Sequence, residues 1–491
     1  MDFVQLSGFR SIRRQPRPVT VFFRALRLIP AESKSRAAMS GTAEKKRNSG
    51  APSERPTVVP YEIPLSKIDP DALKVVKRLR RFGHTAYLVG GCVRDLLLGV
   101  QPKDFDVATS ARPNQIRSIF RNCRLIGRRF RLAHILFRGK IIETATFRAD
   151  SSERNGDDLL ITSDNVFGTE EQDALRRDFT INGLFYDPLQ GAIIDYVGGV
   201  DDIGRGVLRF IGQPAIRARE DPVRILRAVR ISSKLGFSVE PESFEAMEKW
   251  CCDIARCARP RLLEELVRLL RCGAAAGSFR LLWRIGALDV LLPWLATYLA
   301  RSPERGEERE PGVGLYAHLV ALDRTDRELL SNPVLLAILV MHPVADMVKH
   351  GTTGYGFESD SLAPGELAHR ITRDMVTRLA LPRWQAERIQ QLVACQFRFV
   401  KLRPRGGVPR SILRRVYLPE ALDLFDLSVK ATGRGYRVLR LLQGLSRSAA
   451  AVSGERRTGG PDGNKSKKPR RKESRKKEKK RKRPKNNRVS D

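Results

Sequence analysis

The stretch Val89–Ala111, VGGCVRDLLLGVQPKDFDVATSA, constrains the fold more than any other part of the chain. An apolar run that reads as a strand, TAYLVGG, ends in two glycines. A helical turn carrying Arg94, Asp95 and three leucines follows. A second strand-like run, KDFDVAT, then places Asp104 and Asp106 two residues apart. Side chains alternate faces along a strand, so both carboxylates point the same way, roughly 7 Å apart. Like charges so placed repel unless a cation lies between them. Mg²⁺ suits such a site: it takes oxygen ligands and keeps waters and substrate phosphates in its shell. A pair of such ions can clamp both the attacking and the leaving oxygen of an in-line phosphoryl displacement. Gly90 and Gly91 let backbone N–H groups approach phosphate oxygens where a helix begins, and Arg94 in the first turn can reach the same oxygens. No Gly-Lys-Ser/Thr and no third glycine follow, so the turn is neither a P-loop nor a dinucleotide fingerprint. A lone D-x-D is usually solvated surface; the glycine turn beside it is what gives this one weight.

Composition narrows the partners. Lys and Arg number 90 against 55 Asp and Glu, a net charge of +35, which suits a polyanion such as RNA. The seven cysteines are odd in number and follow no repeating spacing, which argues against a disulfide scaffold and for a reducing compartment. Cys251, Cys252 and Cys257 read as small core residues. No apolar run approaches the ~20 residues of a membrane span. The expected setting is the cytoplasm.

The chain divides by pattern. Residues 1–55 are Arg-rich and acid-poor and read as a disordered basic extension; an organellar transit peptide, or a true start at Met39, is compatible with the same composition. Residues 56–195 mix short apolar runs with turns: a helix over Leu73–Phe82, strands at TAYLVGG and KDFDVAT, a helix over Pro113–Phe120, and a hairpin in LAHILFRGKIIETATFR turning near Gly139. From about residue 200 the apolar period is near 3.6. The expected class is therefore α+β: a catalytic head with a mixed sheet (56–195), a helical neck (196–290), a helical body (291–452) and a disordered basic tail (453–491). From Glu455 onward, 18 Lys/Arg face 5 Asp/Glu, a net +13 that suits an electrostatic RNA-binding arm.

The arrangement G-G-x-V-R-D…D-x-D resembles the class II branch of the DNA polymerase β nucleotidyltransferase superfamily, which holds the tRNA CCA-adding enzymes and the bacterial poly(A) polymerases. RRDFTING (Arg176–Gly183) resembles that branch's R-R-D-x-T-I-N motif. DYVGGVDDIGRGVLRFIG (Asp195–Gly212) resembles its G-G-x-x-D-L segment, and REDPVRILRAVR (Arg219–Arg230) its E-D-x-x-R motif. The likeness covers roughly residues 60–290. CRLIGRRFRLAHILF (Cys123–Phe137) and the basic tail are similar to features of the poly(A) polymerase side of the branch.

That resemblance implies an adenylyltransferase adding AMP from ATP to single-stranded RNA 3′ ends, with pyrophosphate released, in a process that promotes RNA decay. It implies Mg²⁺ (or Mn²⁺) on Asp104 and Asp106, and triphosphate binding by Gly90, Gly91, Arg94 and Arg177, with Arg176 as a lesser candidate. It implies a third carboxylate, Asp178 first and Glu143 second. It assigns base recognition to Asp221 and Arg224, with Arg227 on phosphate or in support. Asp221 and Pro222 read as the cap and first turn of a helix whose other face, Ile225, Leu226 and Val229, is core. An exposed charge cluster would give the same spacing. Asn182 reads as a neighbouring hydrogen-bonding group or a cap. A CCA-adding enzyme is the alternative, and a non-catalytic basic RNA-binding protein on a transferase fold is a second. A monomer is expected, with RNA-decay proteins as possible partners and no membrane association. His318 and His342 read as isolated. Trp250, Trp283, Trp294 and Trp384 read as core rather than as base-stacking platforms.

Overall fold

A computed structural model describes residues 56–127, 132–149, 166–301, 312–355, 357, 363–403 and 407–458, with side chains to 447. The N-terminal extension, the charged loop after Arg301 and the basic tail beyond Thr458 lie outside the described residues.

Eight strands form one mixed sheet: β1 (Thr57–Pro60), β2 (Ala86–Val89), β3 (Asp106–Thr109), β4 (Cys123–Ile126), β5 (Leu132–Phe137), β6 (Lys140–Thr146), β7 (Phe185–Asp187) and β8 (Ala192–Asp195). Their spatial order is β1-β8-β7-β2-β3-β6-β5-β4. Only β3 and β6 run parallel; the other neighbouring pairs are antiparallel. The expected helix appears as α1 (Pro70–Arg81). Asp69 caps it, accepting from the amides of Asp71 and Ala72 at 2.8 and 3.2 Å, and Pro70 opens the first turn. Its apolar stripe, Ala72, Val75, Val76 and Leu79, is fully buried. The hairpin of β5 and β6 turns at Gly139, whose φ of 77° suits glycine.

The order of the helices follows the sequence: α2 (Gly91–Leu97), α3 (Pro113–Ile119), α4 (Glu170–Leu175), α5 (Gly199–Arg205), α6 (Pro214–Glu220) and α7 (Val223–Leu235). The remainder is almost wholly helical. The exception is a two-stranded parallel ladder, β9 (Val207–Leu208) with β10 (Ser238–Val239), which the helical period had hidden. Helix α7 begins at Val223 with Pro222 at its N-cap, so Asp221 does not cap that helix; it is the C-cap residue of α6, in the elbow between the two. The last helix, Tyr436–Thr458, runs past the boundary expected at 452.

The two faces of the sheet differ. One, with Leu88, Val107, Ile135 and Ile142, joins a continuous apolar core that extends through Leu226 and Phe279 to Leu335 and Leu424. The other carries a smaller cluster of Tyr87, Val89, Ala108, Phe147, Phe185 and Tyr196.

Four expectations change in the helical part. Asn332–His350 is long and apolar enough to cross a membrane, contrary to the sequence reading, but it is the central helix of the body's core, with Val334 to Val340 fully buried. Of the four tryptophans, Trp294 is buried, while Trp283 and Trp384 are exposed at 42% and 61%. His318 and His342 are not isolated: their rings meet edge to face at 4.7 Å in the core, where burial pulls both imidazoles toward the neutral form. Among the three neighbouring cysteines only Cys251 is core; Cys252 is exposed and Cys257 half-buried.

Candidate active site

Alternation along the chain builds one edge of the site. Asp104 and Asp106 are exposed, and Phe105 between them and Val107 after them are buried at 6% and 1%. The strand proper starts only at Asp106, and Asp104 stands on the extended approach to it. The two carboxylates nonetheless keep the same side, because Phe105 and Val107 are anchored in the core on the other.

The parallel pairing of β3 with β6 sets Glu143 directly opposite Asp106. Desolvation by its crowded setting, then the charge of Glu143, push the Asp106 carboxyl up to about 6; Asp104 adds to the rise and Arg177 opposes it. Asp178 occupies a different place. It is buried, its Oδ2 lies 2.6 Å from Arg227 Nη2, and its Oδ1 accepts from the Phe179 amide at 2.9 Å and Asn182 Nδ2 at 3.1 Å. Burial works against its charge, but Arg227, Asn182, the Phe179 amide and Arg224 outweigh it and hold the carboxyl below its ordinary range. The carboxylate set against the Asp104–Asp106 edge is thus Glu143, and Asp178 is committed to the neck.

The glycine turn has the expected form. Gly90 takes φ 77° at the start of α2, and a Cβ there would lie 3.2 Å from Arg177 Nη1. Only glycine allows both that backbone and that approach. Arg177 is held by Asp173 at 2.8 Å and stacks over Phe185 at 5.5 Å. Arg94 donates to Asp95 and, through Nη1 at 2.7 Å, to Asn182 Oδ1. Asn182 therefore bridges the turn to Asp178, which resolves its role as a linking hydrogen-bonder rather than a cap.

Behind the turn lies a buried ion cluster. Glu220 Oε2 receives Arg217 Nη1 at 2.8 Å and Arg224 Nη1 at 2.9 Å. Arg217 Nη2 also donates at 2.6 Å to the carbonyls of both Arg176 and Arg177. The α6–α7 elbow thus fixes the backbone of the Arg-Arg-Asp segment. The presumed base-reading pair is not joined side chain to side chain: Arg224 faces Glu220, and Asp221 pairs with Arg261 at 2.8 Å. The sequence reading passed over Arg217, Glu220 and Arg261. Glu220 stands inside the quoted REDPVR, and Arg217 three residues before it, but Arg261 lies 40 residues from Asp221 and carries no local signal.

No three His, Cys, Asp or Glu residues converge as a complete metal cage among the described residues. The donor chemistry still fits Mg²⁺, which commonly takes one or two protein carboxylates and fills its shell with water and substrate phosphate. The Asp106 carboxyl is raised first by desolvation and then by the charge of Glu143, and a divalent ion bound there would favour its ionised form.

Comparison with known proteins shows the family and the fold. The model of the poly A polymerase head domain matches residues 86–209, and that of a probable RNA and SrmB-binding site of polymerase A matches residues 236–299. Poly(A) polymerase I of Salmonella typhi is 36% identical over 388 residues, 76% of this chain and 81% of that protein. The Haemophilus influenzae poly(A) polymerase I is 38% identical over 378 residues, 74% and 81%. A CCA-adding enzyme of Geobacillus stearothermophilus is 37% identical over 226 residues, 46% and 55%. The crystal structure of the Bacillus stearothermophilus CCA-adding enzyme with CTP superposes with a TM-score of 0.57 at 24% identity, covering 80% of this chain and 90% of that one, a likeness of fold.

Proposed function

The chain belongs to the family of poly(A) polymerases and CCA-adding nucleotidyltransferases, and from that membership we propose that it adds AMP from ATP to RNA 3′ ends, releasing pyrophosphate. The observation that carries the choice is the extent of likeness: the two poly(A) polymerase I relatives align over 81% of their length, against 55% for the CCA-adding relative. The proposed setting is the bacterial cytoplasm, with RNA turnover as the downstream process.

In this reading Asp104 and Asp106 hold the metal, with Glu143 as third carboxylate. Bound there, Mg²⁺ would stabilise charge developing on the attacked α-phosphate and on the leaving pyrophosphate. The chain's own part is placement. Gly90 and Gly91 offer backbone amides to the triphosphate, and Arg177, fixed by Asp173, supplies positive charge beside them. Arg94 holds the turn through Asp95 and Asn182. The cluster of Glu220 with Arg217 and Arg224 keeps the Arg177 backbone in register, and Asp178 with Arg227 ties that segment to α7. Asp221 and Arg261 present a carboxylate and a guanidinium in which one can accept from a base amino group and the other donate to a ring nitrogen. These positions are preorganised rather than chemically reactive, as nucleotidyl transfer requires.

Purified protein incubated with generic RNA, with tRNA lacking its CCA end, and with each nucleotide alone separates the readings. ATP-only tails of indefinite length on generic RNA support the proposal. Addition of C, C and A that then stops, on tRNA alone, replaces it with the CCA-adding reading.

A further inference from the structure

The acidic edge continues into a row that the proposed chemistry does not use. Register sets Asp106 opposite Glu143, Glu143 opposite His134, and His134 opposite Arg124, on the successive strands β3, β6, β5 and β4. Directly opposed residues share a face. The His134 and Glu143 side chains confirm it, with Nε2 3.7 Å from Oε1. Adjacent strands lie about 4.8 Å apart, so the row is about 14 Å long. Its sign changes along the way, from two carboxylates at one end to a guanidinium at the other.

This half of the sheet is open. Across β2, β7 and β8 the same face is closed by the aromatic cluster around Phe185. On β6 and β4, Glu143 and Arg124 are exposed, as are the flanking Ile141 and Ile126, each at 48%, while His134 on β5 between them is half-buried among the described residues. Arg124 pairs with no carboxylate among the described residues.

We infer that this open half-sheet seats the end of the RNA primer, with Arg124 and His134 as primer-positioning residues. The polarity fits that occupant: an RNA 3′ end presents a neutral hydroxyl at its tip and its first anion one nucleoside behind. The hydroxyl lies at the Asp104–Asp106 edge. A row this long spans about two nucleotides of an extended strand, so the phosphate 5′ to the terminal nucleoside lies by His134 and the next phosphate at Arg124. Exposed Ile141 and Ile126 give the nucleoside an apolar floor. The row runs through Cys123–Phe137, the segment that the sequence singled out and to which triphosphate binding assigns no task. The inference rests on the proposed transfer to RNA.

The test is steady-state incorporation of AMP by the full-length chain, with the primer and ATP varied separately. Arg124→Gln should raise the primer KM by roughly five- to twentyfold, leave the ATP KM unchanged, and be largely rescued by Arg124→Lys. His134→Ala should raise the primer KM by a smaller factor, again without moving that for ATP. A primer whose penultimate internucleotide linkage is a neutral methylphosphonate should lose as much against wild type as Arg124→Gln does, and nothing further against the variant, because the two changes remove one contact. Thermal melting of each variant at the wild-type temperature separates misfolding from loss of the contact. An unchanged primer KM, an equal rise in the ATP KM, or full additivity of Arg124→Gln with the neutral linkage overturns the inference while leaving the transferase reading intact. Wild-type protein that incorporates nothing overturns both.

Discussion

The carboxylate edge and the neck elbow are both dense in charge, and they treat it in opposite ways. At the edge, Asp104, Asp106 and Glu143 have like sign and face solvent, and desolvation, then the charges of Glu143 and Asp104, make Asp106 harder to ionise. In the elbow, Glu220 lies between Arg217 and Arg224, and Asp178 meets Arg227, all but the last mostly buried and each with a partner within 3 Å. Charges left unmatched by the protein mark where something from outside must complete the set. Charges matched within the protein mark scaffold. A buried pair adds little net stability, but losing one member leaves the other stranded. The contrast therefore predicts which substitutions cost rate and which cost folding.

The largest effect is expected at the edge. Asp106→Ala should lower AMP incorporation by about 10³-fold or more, the scale of losing a principal electrostatic stabiliser, while RNA binding and melting temperature stay near wild type. Glu143→Gln should lower the rate less and leave the fold as stable or slightly more so, because it removes like-charge repulsion. Single-turnover incorporation with parallel denaturant curves measures both. A large loss of stability in either variant would erase the distinction between the two regions.

The elbow should respond in reverse. Glu220→Ala strands two buried guanidinium groups and should destabilise the protein by about 3–5 kcal/mol, read as the shift of the urea midpoint. Activity should fall with the folded fraction and with the misplacement of Arg177. Replacing Arg217 as well should restore part of the stability, because fewer unpaired charges remain.

The two regions should also carry opposite pH dependences. Asp106 is raised in the folded protein, so between its ordinary 3.8 and about 6 the native state holds a proton that the unfolded chain has lost. That contribution is full below the ordinary value and disappears as pH rises through about 6. Asp178 is lowered, so its contribution is present above the ordinary value and disappears as pH falls. Without divalent ions, Asp106→Asn should flatten the decline in stability between pH 4 and 7, by on the order of 1 kcal/mol once solvent screening of this exposed group is allowed for. Mg²⁺ should raise the melting temperature more at pH 7.5 than at pH 5, where protons compete for the carboxylate.

What could be read from the sequence was local. The capped α1, the glycine turn, the hairpin at Gly139 and the shared side of Asp104 and Asp106 each depend on residues within a few positions of one another. What could not be read depends on register and packing. Glu143 meets Asp106 because β3 and β6 are parallel, and the crossover that makes them so leaves no periodic trace. Asp178 looked free to join the metal site because the matching Arg227 lies 49 residues on, across a helix whose orientation the pattern leaves open. His318 and His342 are brought together only by helix–helix packing, as is the Arg261 partner of Asp221.

The smallest effect tests a third kind of charge, neither unmatched nor buried. Lys103, next to Asp104, reaches Glu328 on the helical body at 2.7 Å, and the two side chains are 79% and 63% exposed. Exposed pairs of this kind contribute little to stability and weaken with salt. The body side is firmly held, since Arg271 donates to the carbonyls of Arg327 and Leu330 and Arg327 returns a bond to the Arg271 carbonyl. Any mobility in the link therefore belongs to the loop that carries Asp104. A double-mutant cycle of Lys103→Ala and Glu328→Ala should show only a slight coupling in stability, read as the shift of the urea midpoint and vanishing at high salt. The same cycle read in incorporation rate should be equally small, because core-anchored Phe105 and Val107, not the ion pair, set the side on which the carboxylates stand. A coupling in rate much larger than the coupling in stability would transfer control of Asp104 to the body.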